Sequence, residues 1–326
     1  MSAPVLKRHP NPPAVAASTP TPAGAAALAS QRERLARLAA HLLVALIALV
    51  AIGGATRVME AGLACPDWPL CYGSLLPGRQ MNLQVFLEWF HRLDAFLVGL
   101  ALIGLLTISL RWAAVLPRWL PWLSGLALLL VAAQGALGAL TVLLLLAAST
   151  VTAHLTTALL LVLLLSSLHQ LLTTPRSTPA PPLWWALLCG LATFLLLGQC
   201  VLGASMASQW AADLCLQAGE GCRWLLAHRL GAYPAALAIL AMALGSLFTG
   251  SAAAALRPLA LSAGPLVAGQ VLLGVQTLRL QLAVPAVTIA HELLAALLVA
   301  LLGALLGRCL LGLSPSRQPT LEAIHG

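Results

Sequence analysis

Long apolar runs alternate along this chain with short polar gaps. The runs show no period-two alternation, and a run of about 20 apolar residues is the length of a helix that crosses a bilayer. Eight segments reach that length, at roughly 35–56, 83–111, 121–143, 149–172, 184–207, 223–249, 258–279 and 284–311. The expectation is an all-α integral membrane protein of eight transmembrane helices. Residues 1–34 are rich in Ala and Pro, lack an apolar run, and read as a disordered tail. The first apolar stretch is long enough to span, so it is not read as a cleaved signal. A linker at 173–183, containing TTPRSTPAPP, divides the spans four and four. The halves are then 35–172 and 184–312, with a second tail at 313–326.

Composition narrows the class. Hydrophobic residues make up 60% of the chain and charged residues 8%, against about 25% charged in a soluble domain. That excludes a soluble globular enzyme and a disordered chain. Few aromatic residues and unalternating runs exclude an outer-membrane barrel. The net charge of +8 does not point to nucleic acid, because the basic residues are scattered in ones and twos without a stripe. The partner they imply is the lipid bilayer. Lys7, Arg8, Arg32, Arg34, Arg37, Arg111, Arg118, Arg176, Arg257, Arg308 and Arg317 fall on the side of the termini, and only Arg57, Arg79, Arg223 and Arg279 on the other. The positive side is cytoplasmic. Both termini are therefore expected inside, and the long loops near 57–82 and 208–222 outside.

The histidines carry a repeat. His91 and His228 are 137 residues apart, as are His154 and His291, and all four lie in spans near their outer ends. His91-Arg92-Leu93-Asp94-Ala95 parallels His228-Arg229-Leu230-Gly231-Ala232. Gln134, Gly138 and Thr141 share the spacing of Gln270, Gly274 and Thr277. This predicts two tandem four-helix bundles related by a pseudo-two-fold axis along the membrane normal. His9, His41, His169 and His325 stand outside the repeat and are read as solvent or interface residues.

An ionisable group inside a membrane is costly and marks function by default. One such histidine is as readily a hydrogen-bonding group between helices. Four at duplicated positions point instead to pairs of imidazoles facing across a bundle, the arrangement that holds a haem iron axially. Arg92 and Arg229 are candidates to neutralise haem propionates, or simply snorkelling arginines. Glu88, three residues before His91, has Leu225 as its counterpart, so only the first half is expected to set a carboxylate beside its haem. That group is either an acid, base or charge stabiliser, or a partner for Arg57 or Arg92. Cys65 with Cys71, and Cys215 with Cys222, lie in the outer loops and are expected to form disulfides there. Cys189, Cys200 and Cys309 lie in spans and are read as small apolar residues.

Glu88-Trp89-Phe90-His91-Arg92, three further span histidines, the repeat, both cysteine pairs and Gly53-Gly54-Ala55-Thr56-Arg57 leading to Gly62-Leu63-Ala64-Cys65-Pro66-Asp67-Trp68-Pro69-Leu70-Cys71 together resemble the haem A synthase family in its bacterial eight-span form. The resemblance covers about residues 35–312. It implies oxidation of the C8 methyl group of haem O to a formyl group by way of haem I, giving haem A for terminal oxidases. It also implies resident haem b on His228 and His291, substrate haem O between His91 and His154, and Glu88 assisting the chemistry. The location would be the bacterial inner membrane, with a haem O synthase and a cytochrome oxidase as assembly partners. Five residues separate Cys65 from Cys71 where some members have six. A di-haem b-type cytochrome that only transfers electrons also needs four histidines, but leaves Glu88 unexplained. A transporter of parallel repeats would place broken helices at the midplane, whereas these histidines cluster near one face.

Overall fold

The computed structural model describes residues 22–175 and 178–312. These residues are helical almost throughout, and eight of their helices are long and apolar enough to cross a membrane. In chain order the helices are α1 (Pro22–Val58), α2 (Leu83–Arg111), α3 (Trp119–Leu143), α4 (Ala148–Thr173), α5 (Leu183–Ser208), α6 (Ala211–Ala218), α7 (Cys222–Gly245), α8 (Arg257–Leu261), α9 (Ala263–Arg279) and α10 (Pro285–Gly312). All but α6 and α8 are spans, with α8 leading directly into the seventh.

Most span limits fall within two residues of the hydrophobic runs. The first helix does not. It covers Pro22–Val58, so residues 22–34 are helix where a disordered tail was expected. The physical reason is local: this stretch is rich in Ala, the best helix former, and Glu33 pairs with Arg37 one turn on, at 3.3 Å. Arg32 then donates to the carbonyls of Leu171 (3.0 Å) and Thr174 (2.7 Å), which the end of α4 leaves without helical partners. Residues 1–21 and 313–326, both expected to be tails, lie outside the described residues. Helix α6, between α5 and α7, had no apolar run to announce it.

Helix packing makes two squares. Helix α2 packs on α1 and α3, and α4 packs on the same two, so α2 and α4 sit on one diagonal. In the second half, α7 packs on α5 and α9, and α10 closes that ring, so α7 and α10 share a diagonal. The repeat reaches the backbone. Leu145–Leu146 after α3 and Gln281–Leu282 after α9 all have positive φ, between 49° and 62°. The amide of Leu146 returns to the Thr141 carbonyl (2.7 Å) and that of Leu282 to the Thr277 carbonyl (2.9 Å).

The halves meet along α4 and α10. Ser166 donates to the Ala300 carbonyl (2.5 Å) and Ser167 to the Gly303 carbonyl (2.7 Å). Gly303 and Gly307 form a small-xxx-small stripe that lets the backbones touch. A Cβ on Gly303 would lie 2.7 Å from the Leu163 oxygen, and one on Gly307 2.8 Å from the Ser167 oxygen. Leu161, Leu165, Leu168, Leu298 and Leu302 fill the fully buried flanks of this seam.

Candidate functional site

The four repeated histidines lie six to eight residues past the starts of α2, α4, α7 and α10. At the helical rise that is a depth of about 9–12 Å, on the face that carries both long loops. The diagonals bring them together in pairs. His91 faces His154 with ring centroids 6.4 Å apart and ring planes 67° apart. His228 faces His291 at 6.5 Å and 80°. Two metal–imidazole bonds of about 2.0 Å, each extended by about 1.1 Å to the ring centre, put trans ligands about 6 Å apart. Both pairs therefore fit one axially ligated iron. Among the described residues there is no group of three or more His, Cys, Asp or Glu that could cage a bare ion. A haem, which brings its own equatorial nitrogens, suits a two-imidazole site.

Each imidazole rests against a glycine on the preceding spanning helix. A Cβ at Gly53 would lie 3.0 Å from Cε1 of His91, at Gly138 3.5 Å from that of His154, at Gly203 2.9 Å from that of His228, and at Gly274 3.0 Å from that of His291. A side chain at three of these positions would displace the ring from its partner. Gly53 and Gly203 were not singled out by the histidine repeat, because the spacing between the first and fifth spans is not 137.

Above His91 the loop between α1 and α2 is fastened to α2. Asn82 caps that helix by accepting from the Val85 amide (2.9 Å). Buried Glu88 accepts from the Cys65 amide at 2.7 Å and pairs with Arg92. Arg92 also donates to the carbonyls of Asp67 and Leu70, both at 2.6 Å. Of the two sequence readings of Glu88, the pairing with Arg92 is thus present, and it holds the carboxylate one turn from His91. Arg229 is exposed instead, with no hydrogen bond or ion pair among the described residues. The two arginines of the repeat have different environments.

Both expected disulfides are present, Cys65–Cys71 with Cα atoms 4.7 Å apart and Cys215–Cys222 at 4.9 Å. Cys189, Cys200 and Cys309 are free. Inside the first disulfide loop, Asp67 accepts from the Tyr72 amide (2.6 Å) and the Gly73 amide (2.8 Å). These bonds, the one to Gly73 foremost, hold its carboxyl below the usual carboxylate range. A depressed folded value means that the charged side chain favours the folded loop above the unfolded value, about 3.9, and that this help is lost as pH falls through the folded value. Hydrogen-exchange protection of the Tyr72 and Gly73 amides should therefore drop below about pH 4, and Asp67→Asn should remove that step. An identical acid step in the variant would refute the account.

One expectation is corrected. Glu88 is not alone in lying near a repeated histidine: Glu292 follows His291 on α10. It reaches out of its own half to pair with Arg57 at the end of α1, and its carboxylate lies over Gly54, where an added Cβ would make that carboxylate shift. The histidine repeat hid it, because the residue after His154 is Leu155. A single acidic residue deep in an apolar run was the signal available.

The sequence profile of the COX15-CtaA family, described as "Cytochrome oxidase assembly protein", matches residues 36–303. Over 192 residues the chain is 30% identical to a "Heme A synthase" from Shewanella oneidensis, covering 53% of this chain and 57% of that protein. Shorter matches link it to proteins named "Protoheme IX farnesyltransferase". That from Haloarcula marismortui is 36% identical over 74 residues, 23% of this chain and 15% of that protein. That from Halobacterium salinarum is 34% identical over 95 residues, 29% and 21% respectively. The match spans little more than half the length of the first relative and about a fifth or less of the other two.

Proposed function

Because this chain belongs to the family of cytochrome oxidase assembly proteins, we propose that it is a haem A synthase, converting the C8 methyl group of haem O to a formyl group. The observation that carries this reading is the pair of facing imidazoles in each half at iron-spanning separation, with the Glu88 carboxylate held by the Cys65 amide and Arg92 one turn from His91. Haem O is the substrate of the first half, between His91 and His154. His228 and His291 hold a resident haem b, which supplies a redox centre. The likeness to the Shewanella protein supports the same activity.

The methyl group is oxidised in two successive two-electron steps through the hydroxymethyl haem, with water supplying the oxygen and four protons released. Glu88 sits where it can stabilise positive charge developing on the substrate or take a proton from water. Arg92 and the Cys65 amide hold that carboxylate in place, and Arg229, uncommitted and exposed, is the arginine that remains free for a propionate. Electrons leave through haem, quinone or a protein partner. A haem O synthase supplies the substrate and a cytochrome oxidase takes the product. The protein lies in the bacterial inner membrane with both termini cytoplasmic and both disulfide loops outside. The two bundles are related by a pseudo-two-fold axis along the membrane normal.

The deciding experiment is expression alongside a haem O supply, followed by extraction and identification of the haems. Haem A is the expected product. Two haem b molecules per chain and no haem A would establish the electron-transferring cytochrome instead.

A further inference from the structure

The glycines that face the histidines share a second feature. Four residues before each, one helical turn down, stand Leu49, Gln134, Gln199 and Gln270. The three glutamines all reach the histidine of the facing helix. Gln134 donates to the His154 carbonyl (2.7 Å). Gln199 donates to the His228 carbonyl (2.8 Å), with its amide nitrogen also 3.0 Å from Nδ1 of that ring. The Gln270 amide lies 3.4 Å from Nε2 of His291, whose Nδ1 lies 3.1 Å from the Gln270 backbone carbonyl. At the fourth site a buried leucine stands in this place and offers no side-chain amide to His91; within the first half, Nδ1 of His91 and Nδ1 of His154 alike have no hydrogen-bond partner among the described residues.

An amide inside a membrane is costly unless it is bonded. Three in one register, each aimed at an iron-spanning histidine, are more than general helix adhesive. A metal-bound imidazole is held in tautomer and orientation by what its second nitrogen and backbone contact, and loss of such a contact costs about 10–100-fold in metal affinity. The second half has this support at both ligands. Oε1 of Gln199 and of Gln270 are also free acceptors among the described residues, available to an Nδ1–H once Nε2 is engaged. The first half has this support only in part, at the His154 backbone carbonyl, which Gln134 holds while the ring nitrogen stays without a partner among the described residues.

We propose that Gln134, Gln199 and Gln270 are positioning residues that hold three of the four histidines, Gln199 and Gln270 at the ring and Gln134 at the backbone carbonyl, and that Leu49, with no side-chain amide to offer, leaves His91 the ligand that swings away and releases the haem it meets. The Q-x-x-x-G register thus separates a retained haem from an exchangeable one. The inference rests on the assignment of the halves above, and it places entry and exit of substrate on the His91 side.

The test uses the full chain in detergent, loaded with haemin, with loss of haem to excess apomyoglobin followed by absorbance. Gln199→Leu and Gln270→Leu should each speed loss of the second-half haem about tenfold or more and shift its low-spin spectrum. Gln134→Leu should leave that haem unchanged. Leu49→Gln should slow loss from the first half about tenfold, an effect that misfolding does not imitate, while Leu49→Met should keep the original rate. Unchanged release and spectra in both second-half variants overturn the proposal, as does unchanged or faster first-half release in Leu49→Gln. His228→Ala and His91→Ala tell the two readings apart. If the slowly lost haem survives His228→Ala and disappears in His91→Ala, the assignment of the halves fails, whatever the glutamines do.

Discussion

Cells making the Glu88→Gln protein should accumulate haem O and keep the resident haem, with no haem A in their extracts. Glutamine has the size of the glutamate and still accepts from the Cys65 amide, the bond that Glu88 makes at 2.7 Å. What it removes is the negative charge and the capacity to take a proton, and such a group contributes about 10²–10⁴-fold to a proton-transfer step. The Arg92 side chain loses its ion pair but keeps its two 2.6 Å bonds to the loop carbonyls. The loop should therefore stay in place, with Cys65–Cys71 formed. If Glu88 served only to fasten that loop, the glutamine variant would keep nearly full haem A output, and that result would end its chemical assignment. Glu88→Ala removes both functions, so the difference between the two variants measures how much is fastening.

The sequence made the eight spans legible because a bilayer imposes one rule, length of apolar run, that needs no tertiary information. The histidine pairs were legible for a related reason: His91, His154, His228 and His291 are costly where they are, and duplication repeated the cost at fixed spacing. Residues whose meaning depends on a neighbour across space were harder to read. Gln199 and Gly203 escaped notice because the loops of the two halves differ in length, which breaks the register between the first and fifth spans. Glu292 escaped because its partner, Arg57, belongs to the other half. The helical start at Pro22 was missed because hydropathy reports where a helix is apolar, not where it begins, and residues 22–34 are held by alanine content and by what Arg32 binds on α4. The paired environment of Glu88 was among the alternatives open from sequence, but only the folded loop brings the Cys65 amide to it.

Both proposed haem sites hang on one seam. His154 on α4 lies twelve residues from Ser166, and His291 on α10 lies twelve residues from Gly303, so each ligand stands about 18 Å from the same crossing. At that crossing the obstacles to a larger residue are backbone atoms. The nearest neighbours of a Cβ at Gly307 are the carbonyl oxygen, Cα and carbonyl carbon of Ser167, at 2.8, 3.0 and 3.2 Å. Trimming the serine side chain relieves none of these. Gly307→Ala should cost about 1–3 kcal/mol, the usual range for overpacking, and Gly307→Leu more, since the added atoms push two helices apart. The expected result for Gly307→Leu is a lower thermal midpoint in detergent together with loss of haem from both halves at once, not rescued by Ser167→Ala. Gly104 on α2 is the matched control. It has open space around its Cβ position, so Gly104→Leu should leave haem content and midpoint unchanged. Loss confined to one half in Gly307→Leu would mean that the two bundles are held independently, and that the α4–α10 seam joins them without setting either histidine pair.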